Sequence, residues 1–298
     1  MQYKLGKQSM GSIIFNIFNY SLMIFLACIT LFPFMNIVSK AFSSSAKIIA
    51  GKVFLFPRDF QLDAIIHVLF EPQFRISFKV SVFVTIVGTL LAMLVTVMTA
   101  YPLSKPKLRG RKFFLRIYIF VMLFSGGMVP NYLLFRSLHL LNTIWALILP
   151  SMLSVFNMLI VKNFFEQLPE SIEEAAIIDG ASNMRVLFTI ILPISTPVIA
   201  TVSLFYAVDY WNNYFSAVLY ITKQNLRPLQ QYLYELIQSS MNLTDEMGVI
   251  KDLDLALDVI PESIRAATIV VSTVPILLAY PFLQKYFVKG ITIGSVKS

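Results

Sequence analysis

Long apolar blocks alternate with short polar segments along the chain. Each block is about as long as the roughly 20 residues that a helix needs to cross a bilayer. The pattern predicts an all-α polytopic membrane protein with one transmembrane domain over residues 1–298. The six predicted spans cover residues 13–38, 76–103, 113–135, 143–163, 188–212 and 264–284.

The composition supports this prediction. Hydrophobic residues make up 57% of the chain and charged residues only 13%, whereas a soluble domain averages about a quarter charged residues. The first apolar block is too long for the core of a signal peptide, so we expect a retained membrane helix. Cys28 is the single cysteine, and His67 and His139 lie far apart. We therefore expect no disulfide, no metal site and no catalytic residue in this chain.

The distribution of basic residues predicts the orientation. Cytoplasmic loops of membrane proteins carry an excess of Lys and Arg. Such residues precede the first span, follow the last span, and occupy the segment between the second and third spans at Lys105, Lys107, Arg109, Arg111 and Lys112. With six spans these regions share one side, so we predict cytoplasmic N- and C-termini and an outward-facing segment at residues 213–263. The net charge of +8 then reflects topology, and we expect no nucleic-acid partner.

The same topology places residues 164–187 in the cytoplasm, where a short polar helix is predicted at about residues 169–181. Pro169 suits the first turn of this helix, and Gly180 is predicted to end it, since glycine readily takes the left-handed conformation found at helix ends. Three glutamates favour the N-terminal half through the helix dipole, namely Glu170, Glu173 and Glu174. A polar helix between two apolar spans suits a docking surface for a partner at the membrane face.

A set of residues in this helix and just after it has a spacing that is specific enough to identify a motif. It is carried by Glu173, Glu174, Ala175, Ala176, Asp179, Gly180, Ala181, Ile190, Leu192 and Pro193. The spacing resembles the cytoplasmic coupling motif of binding-protein-dependent ABC importer permeases in the maltose-type carbohydrate uptake family. Stretches at residues 124–132, 142–147 and 208–212 are similar to those of the complex-oligosaccharide branch of that family.

The resemblance implies a type I ABC importer permease fold with six transmembrane helices, in the bacterial cytoplasmic membrane. It implies a transport subunit, not an enzyme, that moves oligosaccharides, including acidic ones, into the cytoplasm by alternating access. The implied partners are a second homologous permease, a cytoplasmic ABC ATPase dimer and an extracytoplasmic solute-binding protein. Within the motif, Glu174 would be the charged contact to the ATPase, Ala175 and Ala176 the packing face, and Gly180 the turn.

The sequence contains no Gly-x-x-x-x-Gly-Lys-Ser/Thr loop, whose backbone amides would cradle nucleotide phosphates. We therefore expect ATP and Mg²⁺ on the partner ATPase and no cofactor in this chain. Two other classes are less favoured. A secondary transporter typically shows inverted repeats and buried ionisable groups near the midplane, and a polytopic enzyme needs a cluster of His, Asp or Glu at a membrane face. Neither pattern is evident in the sequence.

Polar and aromatic residues near the outer end of the fifth span are candidates for the substrate path. They are Asp209, Tyr210, Trp211, Asn212, Asn213 and Tyr214. Ionisable residues within spans are costly and usually functional, and aromatic faces with amide donors suit sugar rings. The alternative is an aromatic belt at the membrane interface, with Asp209 already in headgroup water.

Gly126 and Gly127 interrupt the third predicted span. Such a break is tolerated where protein or water satisfies the freed backbone groups. The two glycines either let a helix bend around the translocation path or permit close packing against the sister subunit, and the sequence leaves both interpretations open.

Overall fold

The computed structural model describes residues 10–247 and 262–295. Apart from one isolated antiparallel bridge between Ser43 and Phe60, these residues contain no β-structure, which confirms the all-α prediction. The α-helices are α1 Met10–Ala41, α2 Ser45–Ile49, α3 Asp63–Phe70, α4 Pro72–Ser104, α5 Arg111–Leu123, α6 Met128–Ser137, α7 Trp145–Ile148, α8 Val155–Glu166, α9 Glu170–Ile178, α10 Asn183–Val186, α11 Leu192–Ile194, α12 Thr196–Asn212, α13 Phe215–Tyr220, α14 Leu229–Met247 and α15 Glu262–Ser295. Shorter helical turns lie at Leu149–Ser151, Leu187–Ile191 and Gln224–Leu226.

Part of the predicted topology falls outside the described residues. The predicted outer segment is described only in part, because residues 248–261 lie beyond that range. The chain ends at residues 1–9 and 296–298, on which the predicted orientation of the termini depends, lie outside it as well.

Backbone contacts group the chain into two compact units, of which the first comprises Met1–Phe70 and Ser239–Ser272. Its helix α1 leaves nearly all of its apolar side chains exposed, as expected for a helix that faces lipid. At the end of α1, the Lys40 Nζ lies 2.6 Å from the Glu262 Oε1 at the start of α15. This ion pair connects the first and last described helices of the unit.

The second unit comprises Glu71–Gln238 and Thr273–Ser298, and its core forms where α4 packs against α8 and α12. Small residues such as Ala92 on α4 are fully buried there, which allows close helix packing. A buried hydrogen bond of 2.7 Å joins the Thr96 Oγ1 on α4 to the Tyr206 hydroxyl on α12. That hydroxyl also accepts a 3.0 Å hydrogen bond from the backbone N–H of Ser154, so Tyr206 links three parts of the core.

Three of the predicted spans are bent and discontinuous helices. The α5–α6 pair bends by 110°, the segments Trp145–Ser151 and Val155–Glu166 by 51°, and the segments Asn183–Ile194 and Thr196–Asn212 by 88°. The break at Gly126 and Gly127 follows the prediction. The chain also breaks within the fourth and fifth predicted spans, at Met152–Ser154 and at Ser195.

Two described helices, α1 and α4, are long and apolar enough to cross a membrane, and up to five segments are if each bent pair counts as one span. Helix α15 runs through the region of the sixth predicted span. The count of six spans therefore stays a prediction, while its first five segments each coincide with a helix or a bent helix pair.

Candidate functional site

Helix α9 contains the predicted docking element and has well-formed ends. Pro169 lies immediately before it, one position earlier than the predicted first turn, a difference within the usual variation of helix boundaries. Gly180 has a φ of +80°, and its N–H donates to the Ile177 carbonyl at 3.0 Å, while the N–H of Ala181 donates to the Ala176 carbonyl at 2.9 Å. These two hydrogen bonds form a Schellman motif, which satisfies carbonyls that a helix end otherwise leaves unpaired.

The residues of the sequence motif divide between two faces of α9. Glu174, Ala175 and Asp179 are exposed, whereas Ala176 is only 7% exposed and belongs to the hydrophobic core of the second unit. The expectation that Ala176 presents a packing face to a partner therefore needs correction. Its methyl group packs within this chain because the helix must bury one face to stay attached to the membrane helices.

Two isoleucines that the sequence motif does not include dominate the exposed face of α9. Ile178 is 85% exposed and Ile177 is 52% exposed. Met184, just beyond the helix, is 54% exposed. Exposed apolar residues on an otherwise polar helix mark an interaction surface. The signal for them in the sequence is the pair Ile177-Ile178, which interrupts a run of small and acidic residues.

Ion pairs attach α9 and α8 to the basic segment that follows α4. Lys105 pairs with Glu173, and Arg111 pairs with Glu166. Lys162 also pairs with Glu166, with the Nζ and Oε2 2.9 Å apart. Part of the basic charge that predicts the topology thus has a local role, since it positions the helices that flank an open cleft.

That cleft has a volume of about 850 Å³ and lies beside α9. Its lining combines basic, acidic and apolar side chains, among them Lys107, Leu108, Glu174, Ile177 and Met184. A cleft of mixed character beside an exposed apolar helix face is suited to receive an element of another protein.

The candidates for the substrate path do not form one surface. Tyr210 and Trp211 are buried, and the Tyr210 hydroxyl donates to the Ile148 carbonyl at 2.9 Å. Tyr214 is exposed and stacks on Tyr234 with ring centres 5.5 Å apart. Asn212 is exposed, and the Asn213 Oδ1 accepts the backbone N–H of Ser216 at 3.1 Å. Tyr210 and Trp211 therefore hold α12 in the core of the unit.

Asp209, in contrast, lines a second pocket with a volume of about 440 Å³. The other lining residues come from the broken fourth segment and from α12: Pro150, Ser151, Leu153, Ser154, Phe156, Asn157, Phe205 and Tyr206. The sequence points to Asp209 but not to Ser151, Ser154 and Asn157, because their approach depends on the packing of α8 against α12.

The two glycines of the third segment lie apart from this pocket's lining. Gly127 has a φ of +86°, a conformation that side chains disfavour, and it directly precedes α6. A β-carbon added at Gly126 would have no neighbouring atom within 4 Å. Neither α5 nor α6 has a fully buried residue among those that the structure describes, so this bent pair leaves much of its surface open.

Among the described residues, no group of three or more His, Cys, Asp or Glu side chains could hold a metal ion. Glu166 and Glu173 instead pair with Lys and Arg.

Comparison with known proteins identifies the family. A family model described as the inner membrane component of binding-protein-dependent transport systems matches residues 9–293. Protein LplC of Bacillus subtilis (strain 168) is 46% identical over 286 residues, with 95% of each chain covered. The polygalacturonan/rhamnogalacturonan transport system permease protein YtcP of the same organism is 40% identical over 284 residues, which cover 95% of this chain and 98% of that protein.

A solved structure shares the fold. One chain of a bacterial ABC transporter involved in the import of the acidic polysaccharide alginate superposes with a TM-score of 0.85 and 33% identity, covering 95% of this chain and 99% of that one. The helices described here thus form the type I importer permease fold. The chain belongs to the family of inner membrane components of binding-protein-dependent transport systems and is a permease subunit of an ABC importer, a transport subunit and not an enzyme.

Proposed function

We propose that this subunit imports oligosaccharides, including acidic ones, and that α9 couples it to a separate ATPase. The sugar substrate is supported by the relatives: one is a polygalacturonan/rhamnogalacturonan permease, and one structural neighbour belongs to an alginate importer. The subunit then works with a second homologous permease, a cytoplasmic ABC ATPase dimer and an extracytoplasmic solute-binding protein. ATP and Mg²⁺ bind to the ATPase.

The observation that carries the coupling role is the exposed apolar face of α9. Ile177 and Ile178 face outward beside Glu174, while Ala176 and Glu173 attach the same helix to its own chain. A helix that is fixed on one side and apolar on the other can transmit a push or pull from a docked partner. In this assignment Glu173, Ala176, Gly180 and Ala181 position the helix, and Glu174, Ala175, Ile177, Ile178 and Asp179 contact the ATPase.

Alternating access follows from this arrangement. ATP binding closes the ATPase dimer, moves α9 and favours the outward-facing state, and hydrolysis restores the inward-facing state. Each step shifts the population between two conformations. The free energy comes from ATP binding and hydrolysis, and the contacts at α9 transmit it to the membrane helices. The pocket at Asp209 lies on the sugar path, and the open surface of α5 and α6 around Gly126 and Gly127 packs against the sister permease.

The proposed setting is the bacterial cytoplasmic membrane, with both chain termini and α9 on the cytoplasmic side. The excess of Lys and Arg between α4 and α5 supports this orientation. The chain forms a single permease domain with six spans in this account.

Affinity purification from membranes in mild detergent, followed by mass spectrometry, tests the assembly. We expect stoichiometric recovery of a second permease and of a protein that carries the phosphate loop missing here. Reconstituted liposomes should then take up oligosaccharide only with ATP and the binding protein present. A chain that purifies alone and transports sugar without ATP would overturn the proposal in favour of a secondary transporter.

A further inference from the structure

The pocket at Asp209 lies where the fourth segment is broken. The helical segment that ends at Ser151 and helix α8, which begins at Val155, meet at an angle of 51°, and the residues between them face the pocket together with α12. Irregular backbone at membrane depth occurs where it is buried in protein or lines a cavity. The break therefore exposes polar groups to a cavity between helices that are otherwise apolar.

Two polar side chains of this lining are available to a ligand. Asn157 is only 6% exposed, yet within the described residues its carboxamide has no hydrogen-bond partner, although its backbone N–H donates to the Ser154 Oγ at 3.4 Å. The carboxylate of Asp209 likewise takes part in no hydrogen bond or ion pair with the residues that the structure describes. Both side chains therefore keep their hydrogen-bonding capacity for a ligand in the pocket.

The charge of the pocket is negative. Asp209 is its one acidic residue, and no Lys, Arg or His is among the described lining residues. The remaining lining consists of hydroxyl groups, the Asn157 carboxamide and the apolar surfaces of Leu153, Phe156 and Phe205. A sugar carboxylate placed here would face a like charge without a cation to offset it, whereas sugar hydroxyls could donate to the Asp209 oxygens and exchange hydrogen bonds with Asn157.

We infer that the Asp209 pocket is a sugar subsite for an uncharged, hydroxyl-rich pyranose unit, and that it disfavours sugar carboxylates. The inference rests on the proposed function and refines it, because it assigns the contact with the neutral part of an oligosaccharide to this chain. The carboxylates of an acidic substrate then contact some other part of the transporter.

Thiol labelling of the assembled transporter measures the charge of the pocket. The native thiol of Cys28, on α1 and outside the pocket, is first removed by Cys28→Ser. Ser151→Cys then adds one thiol to the pocket lining. Reaction rates with cationic and anionic methanethiosulfonates are compared after normalisation to a free thiol in solution. We expect the cationic reagent to be favoured by at least about tenfold, because one unit charge within several ångströms attracts the cation and repels the anion. Adding Asp209→Asn should bring the ratio near one.

Protection of the same thiol identifies the ligand. The probes are a galacturonate trisaccharide and its carboxyl-reduced, neutral counterpart, which share linkage and size. We expect the neutral trisaccharide to slow labelling more than the acidic one, and Asp209→Asn to remove most of that difference. Stronger protection by the acidic trisaccharide, protection by neither, or a thiol that does not react would each overturn the inference. Failure of the proposed function has a separate signature, the absence of ATP-dependent oligosaccharide uptake by the transporter without these substitutions.

Discussion

Lys105 forms an ion pair with Glu173 while its Nζ lies 4.6 Å from the centre of the Tyr101 ring. Tyr101 and Lys105 belong to the end of α4 and the segment directly after it, and Glu173 belongs to α9. The ammonium group thus connects a membrane helix to the proposed coupling helix through a charge pair and a cation–π contact. Both partners of the pair are partly shielded from solvent, which makes the loss of one partner costly for the other.

Charge reversal tests whether this pair transmits motion. We expect Lys105→Glu and Glu173→Lys each to lower ATP-driven uptake by about 2- to 30-fold, since residues along a coupling network contribute about 0.5–2 kcal/mol. The double variant should recover part of the activity because it restores an attractive pair. The number of ATP molecules hydrolysed per sugar, measured in liposomes, separates a coupling role from a purely structural one. Single variants with unchanged coupling would contradict the assignment.

Gly180 tests the geometry of the helix end. Its φ of +80° is strained for a β-branched residue, at a cost of about 1–2 kcal/mol for a left-handed conformation. We expect Gly180→Val to reduce uptake strongly, because the chain must turn elsewhere and α9 is displaced. Gly180→Asn is the matched control, since Asn tolerates this conformation, and it should retain most of the uptake. Equal uptake by the two variants would show that the turn is not required.

Substitution of Glu174 tests whether charge on the exposed face of α9 contributes to docking of the ATPase. Glu174→Lys should reduce uptake by at least roughly tenfold, since like charges brought together at an interface cost several kcal/mol, while expression and membrane insertion remain normal. Ser171→Lys provides the control on the same helix, because Ser171 is also exposed but precedes the motif and lies outside the lining of the cleft. Its main expected effect is an unfavourable helix dipole interaction of about 0.3–1 kcal/mol. Wild-type uptake by Glu174→Lys would remove this residue from the mechanism.

Gly88 tests the packing of α4 on α12. A β-carbon at this position would lie 2.8 Å from the ring of Tyr210, so Gly88→Ala must displace that ring and its hydrogen bond to Ile148. We expect a loss of about 1–3 kcal/mol, typical of an overpacked core, seen as a lower Tm of the purified transporter in detergent. Tyr210→Phe, which keeps the ring and loses only the hydroxyl, should cost about 0.5–1.5 kcal/mol. A Gly88→Ala transporter as stable as the wild type would contradict the described packing.

Structural features that depend on one short stretch of residues could be predicted from the sequence. The left-handed conformation of Gly180 and the helix break at Gly126 and Gly127 each follow from residues within a few positions of one another. The helix before Gly180 can be placed to within a few residues for the same reason.

Contacts between distant segments could not be predicted. In a membrane helix apolar residues face both lipid and protein, so the hydrophobic pattern does not indicate which face is buried. For that reason the sequence predicts that Ala176 contacts a partner, although its side chain packs within this chain. It likewise predicts that Tyr210 lines the sugar path, although its ring packs against Gly88. Asn157 and Asp209 are about 50 residues apart in the sequence, and only the packing of α8 on α12 brings them into the lining of one pocket.

The most direct test of the account is a photo-cross-link from Ile178. A photoreactive benzoylphenylalanine at this position replaces an 85% exposed side chain, so the fold should persist, and the same substitution at Ile49, 86% exposed on α2, serves as the control. Illumination of native membranes, followed by mass spectrometry, should join position 178 to a protein with a nucleotide-binding phosphate loop and should not join position 49 to it. A cross-link from position 178 only to lipid or to this chain itself would contradict the claim that α9 couples transport to a separate ATPase.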